Sequence, residues 1–388
     1  MDVLISGASI AGPALAYWLG VHGHRPTIVE IASALRPGGS AVDFRGELHL
    51  GVLRRMGVLD ELRAVETHGK AMRFVDENGA RQMEWPAEMA GGDLEVARED
   101  LARVLCAAGA DHTEYLFGDR ITAMTEHAGG VDVTFASGTE RTFDLVIGAD
   151  GVHSGVRRIA FGPESSFVKH LGYYVAGWEV PNRWGLSPDL VMHNLPGRMI
   201  GVSADHRDPS RAGVTVAFAS PALTYDRHDP AAQHEIIRDR LGGMGWMAPE
   251  LLADISPAMY FDQICRVDVP GWGRGRVALV GDAACGATLG GQGTGTAVVC
   301  AYVLAGELAR AGGDHRTAFA AYERRIGRFA RGTQKGGDTT GAFLAPKTAR
   351  GIRLRNTLNN QQWFLNLMFR VAAKRSTNLE LPAYPVAS

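Results

Sequence analysis

The hexapeptide GASIAG at positions 7–12 is the first stretch whose residue types and spacing suggest chemistry. Gly7 permits a tight bend, and Gly12 permits close packing of a following helix against the preceding strand. A helix that begins here directs free N–H groups and a partial positive charge toward an anion. The hexapeptide therefore predicts a pyrophosphate site, although Ser9 stands where a further glycine is usual.

An acidic residue follows at the spacing expected for a nucleotide site. Glu30 ends the apolar run RPTIVE and lies near the acidic position expected about 20 residues after such a turn. A carboxylate there accepts hydrogen bonds from both hydroxyls of an adenosine ribose, and it repels a 2′-phosphate. Glu30 therefore favours FAD or NAD over NADP as the tightly held dinucleotide.

Two aspartates each follow a buried apolar run. Asp282, in GRVALVGDAACGATLGGQGTGTA, is expected to bind a ribityl or ribose hydroxyl rather than a phosphate. Residues 291–296 then offer backbone N–H groups at a helix start, and such groups stabilise negative charge like that of a reduced flavin around N1 and O2. Asp150, in LVIGADGVHSGVRR, has two interpretations, a cofactor contact or a helix cap.

The elements that position these residues follow from the apolar pattern. DVLIS, the helical pattern after Gly12 and RPTIVE form a strand–helix–strand unit of about 30 residues. Apolar runs at 2–6, 27–30, 144–148 and 276–281 predict one buried parallel sheet, whereas alternating patterns from about 166 to 260 predict antiparallel strands. The predicted fold is α/β: a Rossmann-type FAD-binding domain with an inserted, mostly antiparallel β-sheet substrate domain and an extra C-terminal helix.

The predicted domains are discontinuous along the chain. The FAD-binding domain is expected at 1–72, 93–165 and 262–335, the substrate-binding domain at 73–92 and 166–261, and a C-terminal helical segment at 336–388. A helix over residues 360–374 is expected to pack across both domains and roof the substrate pocket. A helix that binds a partner or a membrane surface is the alternative.

Composition excludes several functional classes. The 388-residue chain has 46% hydrophobic and 21% charged residues and a formal net charge of -2, so it has no overall attraction to nucleic acid. No apolar run of about 18 residues predicts a membrane span, and Asp2 is the only early charge, which disfavours a secretory signal. The four cysteines form no CxxC pair and no metal-ligand spacing with histidine, so we expect no metal and a cytoplasmic location.

In this order, the four motifs resemble the single-component, group A flavoprotein monooxygenases of the para-hydroxybenzoate hydroxylase fold. The resemblance spans about residues 1–330, and its most specific part is WGRGRVALVGDAA, followed by GQGT and a long helix. Within this family the chain is similar to smaller members that oxidise polycyclic molecules, including tetracycline-inactivating enzymes and aromatic-polyketide hydroxylases.

The resemblance implies an oxidoreductase that binds FAD tightly but non-covalently, takes electrons transiently from NADPH or NADH, and consumes O2. A flavin C4a-hydroperoxide would then hydroxylate an aromatic or polycyclic, polyketide-like small molecule. The alternative is a same-fold FAD enzyme with reductase or non-redox cyclase activity in natural-product biosynthesis. Antibiotic biosynthesis and antibiotic resistance are both open, and we expect a monomer or a homodimer.

The resemblance also implies roles for individual residues. Those expected to bind the cofactor are Gly7, Ser9, Ile10, Ala11 and Gly12 at the pyrophosphate, Glu30 and Ile31 at the adenosine, Arg45 and Arg98 beside the flavin or its phosphates, Asp150, Asp282, and Gly293, Thr294 and Gly295 at the pyrimidine end of the flavin. Ile31 replaces a basic residue of the family pattern. No catalytic residue is assigned, and Arg45 is the flavin-adjacent candidate.

Two regions are expected to face the substrate. In relatives the loop after Asp282 faces the reacting edge of the flavin and contains a proline, whereas this chain has Cys285-Gly286-Ala287-Thr288-Leu289. The inserted sheet is expected to supply the substrate-binding residues Trp178, Met192, His193 and Phe218.

Overall fold

The structure, a computed structural model, describes residues 1–36, 38, 41–87, 92–289, 292–365 and 380–384. Its strands are β1 (Asp2–Ser6), β2 (Arg25–Glu30), β3 (Ala41–Phe44), β4 (Met72–Val75), β5 (Arg81–Trp85), β6 (Leu94–Ala97), β7 (Glu114–Phe117), β8 (Ile121–His127), β9 (Gly130–Phe135), β10 (Glu140–Phe143), β11 (Leu145–Gly148), β12 (Val168–Pro181), β13 (Leu190–Leu195), β14 (Arg198–Ala204), β15 (Arg211–Ala219), β16 (Tyr260–Val267), β17 (Gly273–Arg274) and β18 (Val277–Leu279). Its helices are α1 (Ala11–Val21), α2 (Gly46–Arg55), α3 (Leu59–Ala64), α4 (Arg98–Ala108), α5 (Gly155–Ala160), α6 (Pro230–Leu241), α7 (Ala248–Ala253), α8 (Asp282–Cys285), α9 (Gly293–Arg310), α10 (His315–Gly337), α11 (Thr340–Leu344) and α12 (Ala349–Asn359).

A six-stranded sheet carries the N-terminal motif at its centre, with strand order β17-β18-β11-β1-β2-β7. Strand β1 pairs in parallel with β2 and with β11, where Leu4 lies opposite Val146. Strand β18 extends the parallel ladder, with Val277 opposite Val146. The core strands are buried on both faces, as the apolar runs predicted. The predicted parallel sheet, assembled from distant parts of the chain, is therefore confirmed.

A seven-stranded sheet forms the second layer system, with strand order β16-β12-β15-β14-β13-β4-β5. Its pairs are antiparallel except for β4 and β13, so the mostly antiparallel character is confirmed. Strand β16 belongs to this sheet over its whole length to Val267. The boundary predicted between 261 and 262 therefore cuts a strand, and α10 likewise continues across the boundary predicted after 335.

The two faces of the seven-stranded sheet meet different neighbours. One face packs its apolar side chains against α6 and α7, with Val214 and Val216 among the side chains that meet Ile237 and Leu251. The other face packs against α11 and the loop after Asp282, through Phe343 and Leu289. Only the second face therefore turns toward the motifs of the parallel sheet.

The C-terminal region contacts both sheet systems. Helix α12 rests on the seven-stranded sheet, where Trp85 Nε1 donates to Asn359 Oδ1 at 3.1 Å and Asn360 Nδ2 donates to the carbonyl of Gln82 at 2.9 Å. Of the predicted helix 360–374, residues 362–365 are helical and 366–374 lie outside the described residues. Within the described ranges, no helix has both the length and the apolar character needed to cross a membrane.

Candidate active site

The first turn adopts a geometry that only glycine allows at two positions. Gly7 has φ +108°, and its N–H donates to the carbonyl of Val29 at 2.8 Å. A Cβ on Gly12 would lie 1.9 Å from the carbonyl oxygen of Gly7. Helix α1 begins at Ala11, and its N-cap, Ile10, provides no side-chain cap, so the first N–H groups are left for an anion.

Glu30 holds the rim of this turn in place. Its Oε2 accepts from the N–H of Ala8 at 2.9 Å, and its Oε1 accepts from the N–H of Ala32 at 3.0 Å. Each carboxylate oxygen has a second lone pair, so the two oxygens still have acceptor capacity for ribose hydroxyls. Ile31 is 56% exposed beside it and brings no charge to the adenosine end.

Ser9 and Arg98 meet above the turn. Arg98 begins α4, and its guanidinium donates to Ser9 Oγ from Nη2 at 3.1 Å and from Nε at 3.3 Å. The serine that replaces a glycine therefore holds a cation beside the N-terminus of α1. The two residues are 89 positions apart, and sequence reasoning did not predict this contact.

Asp150 is half-buried and lies two residues beyond the carboxyl end of β11, next to Gly7, whose added Cβ would lie 2.6 Å from the carbonyl oxygen of Ala149. Burial raises the pKa of Asp150, against hydrogen bonds that lower it. Its Oδ2 accepts from Ser6 Oγ at 3.3 Å and from the N–H of Val156 at 3.1 Å. Its Oδ1 is buried without a partner among the described residues, which marks it as an acceptor for a ligand hydroxyl.

Asp282 stands at the start of α8, after Gly281 with φ +62°. A Cβ on Gly281 would lie 3.1 Å from Cβ of Ala11, so α8 begins directly beside α1. Burial raises the pKa of Asp282, while the positive charge of Arg98 lowers it. A Cβ on Gly293 would lie 3.4 Å from Asp282 Oδ1, which places the start of α9 against the same carboxylate.

A small cavity opens beside Asp282 and the start of α9. Its lining residues are Gly281, Asp282, Cys285, Ala287, Gly293, Thr296, Thr333 and Gln334. The N-cap of α9, Gln292, provides no side-chain cap, so the N–H groups of Gly293, Thr294 and Gly295 face no acceptor in their own helix. Gly291, also part of the predicted motif, lies outside the described residues.

His49 joins α9 to Arg45 and was not predicted from the sequence. The ring is 1% exposed, and a Cβ on Gly295 would lie 2.3 Å from its Nδ1. The same Nδ1 accepts from the N–H of Arg45 at 3.2 Å, and burial lowers the pKa of His49 to about 4. Arg45 is the N-cap of α2, and its guanidinium pairs with Asp43.

His153, in the motif of Asp150, links the two sheet systems. Its Nε2 lies 2.8 Å from Oδ2 of Asp262 on β16, and its Nδ1 lies 3.1 Å from both oxygens of Glu164. Burial alone would lower the pKa of His153, but these carboxylates outweigh burial and raise the pKa to about 9. The imidazole is therefore charged at neutral pH and bridges the domains as a cation.

The loop after Asp282 is fixed without a proline. Thr288 Oγ1 donates to the carbonyl of Gln263 at 3.0 Å and accepts from the N–H of Cys265 at 3.1 Å. The N–H of Val267 donates to the carbonyl of Gly286 at 2.9 Å. These bonds fasten residues 286–288 along β16.

The structure does not bring the four predicted substrate residues together. Trp178 and Phe218 lie in the apolar cluster under α6 and α7, and the ring of His193 lies 6.3 Å from Trp246 on that same side. Met192 lies on the opposite face, with the cluster that includes Leu289 as a neighbour. The alternating pattern identified inward-facing residues but did not distinguish the two buried faces.

The contacts described above form one continuous site along the carboxyl edge of the parallel sheet. It offers the uncapped backbone N–H groups of Ala11 and Gly12 at the start of α1 and three more at the start of α9, a cation over the first turn and an unpartnered acceptor on Asp150. These features fit an extended dinucleotide with a diphosphate centre and hydroxyl-bearing arms. Fold and site together define an FAD-binding oxidoreductase.

Comparisons with known proteins agree with this class. The family model described as "FAD binding domain" matches residues 1–333. The uncharacterized protein Rv1260 of Mycobacterium tuberculosis (strain ATCC 25618 / H37Rv) is 43% identical over 329 residues, which cover 82% of this chain and 88% of the relative. A flavin-dependent monooxygenase from an unknown prokaryotic organism is 34% identical over 392 residues and covers 98% of both chains. The crystal structure of tetracycline destructase Tet(55) superposes with a TM-score of 0.85 at 34% identity, again over 98% of both chains.

The chain belongs to the FAD binding domain family and is an FAD-dependent monooxygenase of the group A flavoprotein type.

Proposed function

We propose that the enzyme consumes NADPH or NADH and O2 to hydroxylate an aromatic or polycyclic, polyketide-like small molecule. The observation that carries this proposal is the extent of the likeness to Tet(55), which includes the C-terminal region beyond the family match and covers 98% of both chains. The name of the tetracycline destructase supports a multi-ring substrate, and the FAD-dependent monooxygenase asL4 of Sarocladium schorii, 34% identical over 330 residues, supports monooxygenase chemistry.

The residues of the site would hold the cofactor at several points along its length. We infer that the turn at 7–12 and Arg98 bind the diphosphate, Glu30 the adenosine ribose, Asp150 and Asp282 the hydroxyl groups, and Gly293–Gly295 the pyrimidine end. Bound FAD would take a hydride from the nicotinamide, activate O2 and supply one oxygen atom to an electron-rich carbon. The chain itself would orient the two substrates and exclude water.

We infer that the substrate lies on the Met192 face of the seven-stranded sheet. That face packs toward Leu289 in the loop after Asp282, whereas the face of Phe218 is covered by α6 and α7. The neighbours of Met192 are apolar, among them Val175 and Met199, and this suits the flat hydrocarbon surface of a multi-ring molecule.

The test measures NADPH and O2 consumption with and without candidate polycyclic substrates such as anhydrotetracycline. We expect a yellow protein whose NADPH oxidation accelerates when substrate is added, with one O2 consumed per hydroxylated product. Substrate conversion without O2 uptake would instead indicate a reductase or a cyclase. A colourless protein that does not bind added FAD would contradict the proposal altogether.

A pair of volume changes tests the assignment of the substrate face. Met192→Phe adds bulk on the proposed substrate side, and Phe218→Leu removes bulk in the cluster under α6 and α7. We expect Met192→Phe to raise KM for the substrate or to increase NADPH oxidation without product, and Phe218→Leu to change neither. The reverse pattern would place the substrate on the other face.

A further inference from the structure

The C-terminal residues Leu381–Tyr384 lie against the FAD-binding part of the molecule, far along the chain from the family match at 1–333. Three helices begin at the cofactor site: α1 at the first turn, α2 after Arg45, and α9 at Gly293. Their later turns meet around Tyr302, where Trp18 of α1 lies 4.8 Å away ring to ring and Arg55 Nη1 of α2 donates to the phenol oxygen at 2.5 Å. The terminal residues dock at this meeting point.

One backbone carbonyl of the terminal segment joins two of these helices. The carbonyl of Pro382 accepts from Tyr302 OH at 2.6 Å and from Arg55 Nη1 at 2.9 Å. The carbonyl of the next residue, Ala383, accepts from Arg310 Nη2 at 3.2 Å. The segment therefore ties the last turn of α2 to the second half of α9.

Tyr384 fills a slot that exists because residue 306 is glycine. A Cβ on Gly306 would lie 2.1 Å from the Tyr384 ring, and the ring is 9% exposed. Tyr384 OH donates to Glu307 Oε1 at 2.7 Å, and the Arg310 guanidinium lies 4.8 Å from the ring centroid. Glu307 is only 3% exposed and also accepts from Arg325 Nε at 2.8 Å, so the phenol completes a buried polar network.

The same helices are in contact at their cofactor ends. His49 of α2 packs against Gly295 of α9 and holds the N–H of Arg45. The pair α2 and α9 is thus joined at one end by His49 and at the other by the terminal segment. Helices move as rigid bodies in packed interiors, so a change in spacing at one end alters the other.

We propose that Leu381–Tyr384 is a clamp that positions the FAD-binding ends of α2 and α9 from their far ends, and that its release lowers the affinity for FAD. Tyr384 is a positioning residue in this role, because it acts through the helices and touches no part of the site itself. The described C-terminal residues thus contact both parts of the molecule, the substrate sheet through Asn360 and the cofactor domain through Tyr384.

The decisive variant is Gly306→Ala, which expels the Tyr384 ring without altering the terminal segment. Alanine is a better helix former than glycine, so the substitution does not weaken α9 itself. Gly332→Ala is the matched control, since it lies in a helix and its added Cβ meets nothing within 4 Å. Tyr384→Ala and a chain that ends at residue 379 release the clamp by two other routes.

Affinity is measured by FAD titration of the FAD-free protein, followed through quenching of flavin fluorescence well below the unfolding temperature. We expect the FAD Kd to rise at least about tenfold in Gly306→Ala, Tyr384→Ala and the truncated chain, and to stay unchanged in Gly332→Ala. Gly306→Ala combined with Tyr384→Ala should be no worse than either alone, because both remove the same contact.

Two results would overturn the proposal. An FAD Kd unchanged in all three released variants would show that the clamp does not reach the cofactor site. If the Kd rises only in variants whose FAD-free form also unfolds at a lower temperature, the segment stabilises the whole protein and does not position the FAD-binding ends of α2 and α9. A raised Kd in Gly306→Ala with an unfolding temperature equal to or above that of the parent protein supports the clamp.

Discussion

Substitution of Glu30 by alanine provides the sharpest test of how the cofactor lies in the site. The carboxylate organises the first turn through the N–H groups of Ala8 and Ala32, and we assign it to the adenosine ribose. Hydrogen bonds to charged groups contribute about 1.5–3 kcal/mol each when buried, and about 1 kcal/mol each is reasonable for this half-exposed side chain. Two turn contacts and two ribose contacts then sum to roughly 3–4 kcal/mol, so the FAD Kd should rise about 10²- to 10³-fold.

Ser9→Gly is the matched comparison in the same turn. Ser9 provides a single neutral acceptor for Arg98, and loss of that contact is worth about 0.5–1 kcal/mol, or less than about a sixfold change in Kd. Glu30→Gln should fall between the two, because the amide keeps one acceptor but presents a donor to the other N–H group.

The assay is fluorescence titration of the FAD-free variants with FAD and, in parallel, with FMN, which lacks the adenosine half. Glu30→Ala should weaken FAD binding by the full amount and FMN binding only by the share of the two turn contacts, because FMN has no adenosine ribose to lose. A larger loss for Ser9→Gly than for Glu30→Ala, or an equal loss of FAD and FMN binding in Glu30→Ala, would refute the placement of the ribose at Glu30.

Three further expectations follow from the geometry. Gly12→Ala should abolish FAD binding and lower the unfolding temperature, because the new methyl group meets a backbone oxygen of the turn at 1.9 Å; a variant that remains fully yellow would contradict this. Gly295→Ala should raise the FAD Kd by displacing His49, whereas His49→Ala combined with it should recover part of the loss, as the same titration will show. The pKa of His153 is raised from about 6.5 to about 9 in the folded state, so the stability that its charge contributes is fully present below pH 6.5 and is lost as the pH rises through 9. The free energies of urea unfolding of His153→Gln and of the parent protein should therefore differ at pH 6 and converge above pH 9. A difference that stays constant with pH would contradict the role of the charge.

Local spacing was sufficient to predict the first turn and its two carboxylate companions. The turn requires glycine at both Gly7 and Gly12. The structure shows why: Gly7 has a positive φ angle, and a Cβ on Gly12 would lie 1.9 Å from a backbone oxygen. Asp150 and Asp282 follow buried strands of one parallel sheet, and strands of such a sheet end at one edge. The apolar runs therefore determined both the sheet and the place of these side chains.

Contacts between distant segments had no local signal. Ser9 and Arg98 form a hydrogen bond although they are 89 positions apart in the sequence. The sequence around His49 predicts only a helix and gives no sign that its ring contacts α9. The sequence likewise does not show which face of a strand a buried residue lies on. Alternation at Met192 and Phe218 indicates that both are buried, but the packing of the sheet determines which of its two faces meets the cofactor domain.

The order of strands in the parallel sheet has a consequence for how the protein folds during its synthesis. Strand β1 precedes the other strands of this sheet along the chain, yet its neighbour β11 begins at Leu145, and β18, the next strand on that side, begins at Val277. Non-local pairings of this kind are slow to form, and the ribosome releases the chain from its N-terminus onward. The N-terminal strand therefore stays unpaired on one edge until β11 has emerged, and β11 in turn lacks its outer neighbour until residue 277 and those after it have been made.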